Sequence, residues 1–432
     1  MVAARSLSAE RALSSSSVLK MNGFVNAEKV HTDEGKPVPA PVRASSDPKN
    51  KKLIFAHAIW RHGKRNPGVI YKNSLSKEHD FIQGMGELVN EGMMEQYVLG
   101  QRLRKRFIED TALVSPHYVA KEIYIRSTHV NRTITSAQSH FRSFYSGTLP
   151  DQEPNVPSRE NPVAVHAFSD LADPILLASG CEYARHFVTT TIQNKPQFKA
   201  FIDEHKQFIK TVADKTGHPE YAEAAENYDF WNTYRLLSVC DAIIHEVLLN
   251  LPRAPWVDEV YEQADNFVDE YYAHIYGLRA DDHIRKEAAK IFGGPLLWEI
   301  IDRFKLKLGI DVDKIRLKDE MPEKYYVYSA HDTSIIQLFV ALGFGKIGVD
   351  TIKRPQTSDA VTIELWQGND GSNVIKIFYF RKGLDHPIDL SKTVAGCENC
   401  EEGCSLDQFI QRSLPFKPDP DAQYGSGIEK TF

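Results

Sequence analysis

Long apolar runs are missing from this chain. No window of its 432 residues approaches the roughly 20 apolar residues that a membrane-spanning helix needs. The opening "MVAARSLSAERALSSSSVLKMNGF" lacks the apolar core of a signal peptide. Rich in Ser and Ala, it is expected to be a disordered or weakly transit-like tail. An excess of positive charge is missing too: 52 lysines and arginines against 58 aspartates and glutamates give a net charge of −6. That balance argues against a general nucleic-acid binder, whose basic face usually shows in the total, but it leaves room for a local basic pocket. Cysteine is scarce and odd in number: Cys181, Cys240, Cys397, Cys400 and Cys404. The cluster "CENCEEGC" fits a short disulfide-closed loop or free thiols. A zinc site would want a second Cys or His pair nearby, and none follows.

What is present is the composition of an ordinary globular protein, 42% apolar and 25% charged. The length suits one large domain with a sizeable insertion, or two domains. Residues 1–50 read as a tail ahead of the fold, dominated by Pro, Ser and Lys. "KLIFAHAIW" then reads as a buried strand, a short apolar run without a helical stripe. "GELVNEGMMEQYVLGQRLRKRFIED" spaces Leu88, Met93, Tyr97, Leu99, Leu103 and Phe107 as an amphipathic helix. "KEIYIRSTHVNRTITSAQSHFRSFY" predicts a strand over Glu122 to Ile125, a polar loop and a helix, and "NPVAVHAF" a third strand. From 170 to 310 helical patterns such as "FWNTYRLLSVCDAIIHEVLLNLP" take over, predicting a mainly helical cap inserted into the sheet. Strands return with "KYYVYSAHD", then "AVTIELW" and "VIKIFYF" joined by the hairpin-like "QGNDGSN". The α/β core is thus expected over 51–169 and 311–416, with a short tail over 417–432.

Three of these strands run into polar clusters. The first ends in "IWRHGKRNP", supplying Arg61, His62 and Arg65; the second meets Arg126; "YVYSAHDTS" supplies His331 and Asp332. In open α/β sheets ligands bind at the carboxyl ends of strands. If the strands are neighbours, these groups share one pocket. Three guanidinium forks suit a tetrahedral oxyanion such as phosphate, and a cage of that kind stabilises a transferring phosphoryl group without a metal. A histidine among arginines resists protonation, so His62 can act as a neutral nucleophile. Asp332, the only carboxylic acid in these clusters, is then the general acid and later the general base. Arg61, Arg65, Arg126 and His331 are expected to bind the phosphoryl group. His57 is expected to be a packed strand histidine, His166 to have a structural rather than a site role, and Trp60 to be core or pocket wall.

Arg61-His62-Gly63-x-Arg65-x-Pro67 resembles the RHGxRxP signature of the histidine acid phosphatases, and Ser329-Ala330-His331-Asp332 resembles their second signature. "GMMEQYVLGQRLRKRF", "YIRSTHVNRTITSA", "GGPLLWEI" and "GCSLDQFIQRSLP" add to the likeness, which spans roughly 53–416. The resemblance implies a mixed, mostly parallel sheet flanked by helices, like that of phosphoglycerate mutase, with a helical cap. It implies hydrolysis of small-molecule or peptide phosphomonoesters at acidic pH through a phosphohistidine, without metal or other cofactor. It also implies a secreted or lysosomal location, in tension with the opening described above. A homodimer stays open. Within the same chemistry a phytase-like specificity for inositol phosphates is an alternative, as is transfer within one substrate in the mutase manner, or a relative that binds phosphate ligands without turnover.

Three positions depart from the family pattern. Lys64 stands where an acid is frequent, and His129 and Asn131 replace two acids. The expected consequence is a more positive rim and a taste for more acidic substrates. A cysteine usual before "VTIELW" is also missing, with Ala360 or a neighbour in that place, so Cys240 is expected to lack its customary partner.

Overall fold

The computed structural model describes residues 47–146, 162–168, 173–178, 181–226, 230–312, 315–344 and 353–418. In chain order these form β1 (Lys51–Arg61), α1 (Asn90–Arg104), β2 (Ile123–Thr128), α2 (Asn131–Phe144) and β3 (His166–Phe168). A helical stretch follows: α3 (Glu182–Phe187), α4 (Pro196–Thr216), α5 (Phe230–Leu248), α6 (Pro255–Ile275), α7 (Asp282–Ala288), α8 (Gly294–Lys307) and α9 (Ile315–Asp319). Then come β4 (Tyr325–Ala330), α10 (Asp332–Ala341), β5 (Ala360–Gly368), β6 (Asn373–Phe380), β7 (Ile388–Asp389), β8 (Cys404–Ser405) and α11 (Leu406–Ser413). No helix among the described residues is long and apolar enough to cross a membrane.

The strands form one mixed sheet in the order β3-β2-β4-β1-β5-β6-β7, with β8 also paired to β6. β1 to β4 are mutually parallel; β5 runs against β1 and β6 against β5, so five of the eight strands share one direction. The central strands are apolar at nearly every position because both faces are covered. Along β1, Phe55 and Ile59 enter one core with Leu296, Ile300 and Phe304 of α8 and Leu338 of α10. Ala56, Ala58 and Trp60 face the other way, onto Leu99 and Leu103 of α1 and Phe141 and Phe144 of α2. β4 divides alike, Tyr326 and Tyr328 on the first side and Tyr325 and Val327 on the second. This is the period-2 alternation of a pleated strand.

Helices α4 to α6 build a core of their own from residues such as Phe201, Ile209, Val239, Ile243, Val257 and Phe267. Ile336 and Val340 of α10 join that core while Ile335 and Leu338 join the sheet's, so α10 is shared by both. Within the helical stretch α8 packs on the sheet. Of the three residues expected to be structural, His57 and Trp60 are fully buried, whereas His166 is exposed. His57 is fully buried among the rings of Phe55, Phe304, Tyr326 and Tyr328. His166 stacks on Tyr124, and the Trp60 indole donates to Ser329 Oγ at 2.9 Å. Near the C-terminus Cys397 and Cys404 form a disulfide; Cys400 and the buried Cys240 are free thiols, and burial pushes the Cys240 thiol up to about 12.

Candidate active site

The register of one strand pair assembles the site. β1 and β4 lie parallel with Arg61 opposite Ala330, so both strands end at the same level. The next residues, His62 and His331-Asp332, therefore emerge side by side. The His62 amide donates to Ala330 O at 3.0 Å, and the two imidazoles lie edge to face with centroids 5.5 Å apart. A sharp exit from β1 requires glycine: a Cβ on Gly63 would stand 2.2 Å from Gly92 O, and one on Gly92 would stand 2.0 Å from Lys64 O. The loop after the strand thus presses its backbone against the start of α1, at a distance no side chain allows.

That loop also fixes the state of the histidine. His62 Nδ1 lies 2.8 Å from Gly63 O. A carbonyl can only accept, so the proton sits on Nδ1 and Nε2 keeps its lone pair. Burial, together with the charges of Arg132, His331, Arg61 and Arg65, holds the His62 pKa well below its usual value. His331 shares a 3.0 Å hydrogen bond with Thr128 Oγ1 and is pushed down to about 3 by burial and by Arg132. Asp332 opens α10, where the helix dipole favours a carboxylate. It pairs with Arg61 at 3.1 Å and accepts from the Thr333 amide at 2.8 Å. Burial alone would raise its pKa, but Arg61, Arg354, His331 and the Thr333 amide outweigh burial and hold it below the ordinary value.

These groups line a cavity of about 1050 Å3 between the strand ends and the helical stretch. Arg61, His62, Arg65, His331 and Asp332, five of the six residues expected from sequence, are on its wall. Arg61 donates to Pro355 O at 2.6 Å, and Arg65 makes a two-pronged pair with Asp241 of α5 at 2.7 and 3.1 Å.

Arg126 is the exception and corrects the reading. β2 continues to Thr128, so Arg126 lies within the strand and not beyond its end. The pleat turns it toward α8, where it pairs with Asp173 at 2.9 Å and Glu299 at 3.7 Å, buried and off the cavity wall. Arg132 takes the place expected of it. It is the second residue of α2, lines the cavity, and has no ion-pair or hydrogen-bond partner among the described residues. Burial and the nearby Arg65 push its pKa down to about 10. The signal was available in "RSTHVNRT", whose second arginine follows the polar loop and opens a helix. Asp241 and His245 of α5 also line the cavity and carried no motif that could single them out. Of the three positions that depart from the family pattern, Lys64 is on the wall, whereas the exposed His129 and Asn131 are not.

A neutral imidazole with one free lone pair, set among three cavity-lining arginines beside a carboxyl group, is a set of groups whose chemistry suits a tetrahedral oxyanion. Residues 52–381 match the histidine phosphatase superfamily (branch 2), and the chain belongs to that family. It is 26% identical to the lysosomal acid phosphatase of Bos taurus over 373 residues, 85% of this chain and 79% of that one. It is 26% identical to the prostatic acid phosphatase of Rattus norvegicus over 374 residues, covering 85% and 87%. With the testicular acid phosphatase of Homo sapiens it shares 28% over 383 residues, covering 85% and 80%. Among solved structures, the apo form of Hafnia alvei phytase superposes with a TM-score of 0.60 at 15% identity, over 88% of this chain and all of that one. At that identity the likeness speaks for the fold alone.

Proposed function

We propose that the protein is a phosphomonoester hydrolase working through a phosphohistidine at His62. The observation that carries this reading is the 2.8 Å contact between His62 Nδ1 and Gly63 O in a pocket whose charges keep the ring neutral. The Nε2 lone pair attacks phosphorus, the ester P–O bond breaks, and Asp332 passes its proton to the departing alkoxide. Water then attacks the phosphohistidine while Asp332 takes a proton back, the P–N bond breaks, and inorganic phosphate leaves. Arg61, Arg65 and Arg132 hold the phosphoryl oxygens, with His331 beside them. Asp332 is ionised in the free site because Arg61 and Arg354 face it. A bound phosphate dianion offsets those cations and raises the carboxyl toward the protonated state that donation needs.

The acid phosphatase relatives support hydrolysis of phosphomonoesters in general. The walls favour acidic members of that class: nine lysines and arginines line the cavity against five aspartates. Turnover of p-nitrophenyl phosphate at about pH 5 is the test. The reading expects turnover in the wild type and a loss of at least about a thousandfold in His62→Ala. Equal rates in the two would refute it.

A further inference from the structure

The phosphate pocket has a counter-ion that the chemistry above does not use. Asp241, on α5, receives both terminal nitrogens of Arg65, at 2.7 and 3.1 Å. It also accepts from the Gly68 amide at 3.4 Å and lies 3.3 Å from His245 Nδ1. Arg65 therefore approaches the phosphate with its fork already gripped from the helical side. Four donors or near-donors converge on one carboxylate, which fixes the guanidinium plane before any ligand arrives.

The pair also sets the charge of the pocket. Arg61 is matched by Asp332 and Arg65 by Asp241, while Arg132 has no carboxylate partner among the described residues. With His62 and His331 neutral, the three arginines and the two ionised carboxylates leave one net positive charge around the phosphate position. Without Asp241 a bound phosphate, whatever its own protonation state, would meet one more positive charge. Like any product, inorganic phosphate must leave before the next turnover, and a more positive cage would retain it longer.

We infer that Asp241 is a positioning residue that aims Arg65 and offsets one positive charge of the pocket, so that product is released. This rests on the phosphatase reading of the same site and adds a residue from the helical stretch to it. Removing the charge should tighten phosphate and slow turnover together, which a merely structural residue would not do.

The experiment compares wild type, Asp241→Asn, Asp241→Glu and, as a control for an exposed acid of α6, Asp258→Asn. For each, inhibition by inorganic phosphate is measured beside kcat and KM for p-nitrophenyl phosphate at about pH 5. Asp241→Asn is expected to bind phosphate roughly tenfold more tightly, as an uncompensated charge at short range allows, with kcat and KM falling together. Phosphate affinity that is unchanged or weaker in Asp241→Asn, or equally tightened in Asp258→Asn, overturns the inference. Should Asp241→Asn fail to fold, Asp241→Glu decides: it keeps the charge but shifts the fork, so kcat must fall while phosphate affinity stays near wild type, and an unchanged kcat overturns the inference. A wild type that neither binds phosphate nor hydrolyses the ester would instead sink the phosphatase reading itself.

Discussion

Replacing Arg132 with alanine takes a cation out of the cavity and disturbs little else, because that guanidinium has no protein partner among the described residues. Replacing Arg126 strips the counter-ion from Asp173 and removes one of the cations beside Glu299, in the sheet's buried layer. The two substitutions should therefore separate cleanly. Arg132→Ala is expected to lower kcat/KM by about a hundredfold or more with Tm nearly unchanged. Arg126→Ala is expected to destabilise by about 3 kcal/mol, the scale for an orphaned buried ion pair, while molecules that remain folded keep most of their activity. Steady-state kinetics alongside thermal unfolding would show it; loss of activity confined to Arg126→Ala would reverse the assignment. The other five expected site residues reach the cavity wall because motif and strand end coincide at each. Arg126 was misread because the end of β2 lies at Thr128 and not at Ile125, a difference of three residues that apolar periodicity cannot resolve.

Among the elements, the meeting of the His62 loop with the first turn of α1 sets the geometry of the proposed nucleophile. Gly63 and Gly92 face each other so closely that a methyl on either one would strike the opposing backbone. Gly92→Ala is expected to destabilise by about 2–3 kcal/mol and to lower kcat as well, since the displaced loop carries the Gly63 carbonyl that holds His62 Nδ1. Calorimetry and turnover of the same preparation check both; an unchanged kcat would mean that the carbonyl contact is dispensable. The strands and hairpin were readable from short apolar runs, because a sheet covered on both faces is apolar at almost every position. The third strand was readable in part: among the described residues of "NPVAVHAF", His166–Phe168 forms a strand, paired with β2. The pairing of α5 with the catalytic loop was invisible for another reason. Asp241 and Arg65 are far apart in sequence, and neither spacing nor periodicity encodes which helix faces which loop.

For the molecule as a whole, burial of neutral histidines makes stability depend on pH. His62 and His57 are held well below 6.5, His331 and His140 lie near 3, and His245 and His274 near 4. Each has a folded pKa below its unfolded one. The unfolded chain therefore takes up protons first, and stability falls as pH drops from 6.5 through the folded values. The slope is at most about 1.4 kcal/mol per pH unit for each histidine. The free protein is expected to show a lower Tm at about pH 4 than at about pH 7, with bound phosphate restoring part of the difference. A Tm that rises on acidification would contradict the burial of these rings as neutral groups.

The account rests on one bond, between phosphorus and an imidazole nitrogen. Rapid quenching of the protein during turnover of p-nitrophenyl phosphate, followed by peptide mass spectrometry under alkaline conditions that preserve phosphohistidine, measures it directly. The predicted result is a phosphoryl group on His62, attached at Nε2, and no phosphorylated intermediate in His62→Ala. A phosphoryl group on another residue, or undiminished hydrolysis in His62→Ala, would contradict the mechanism.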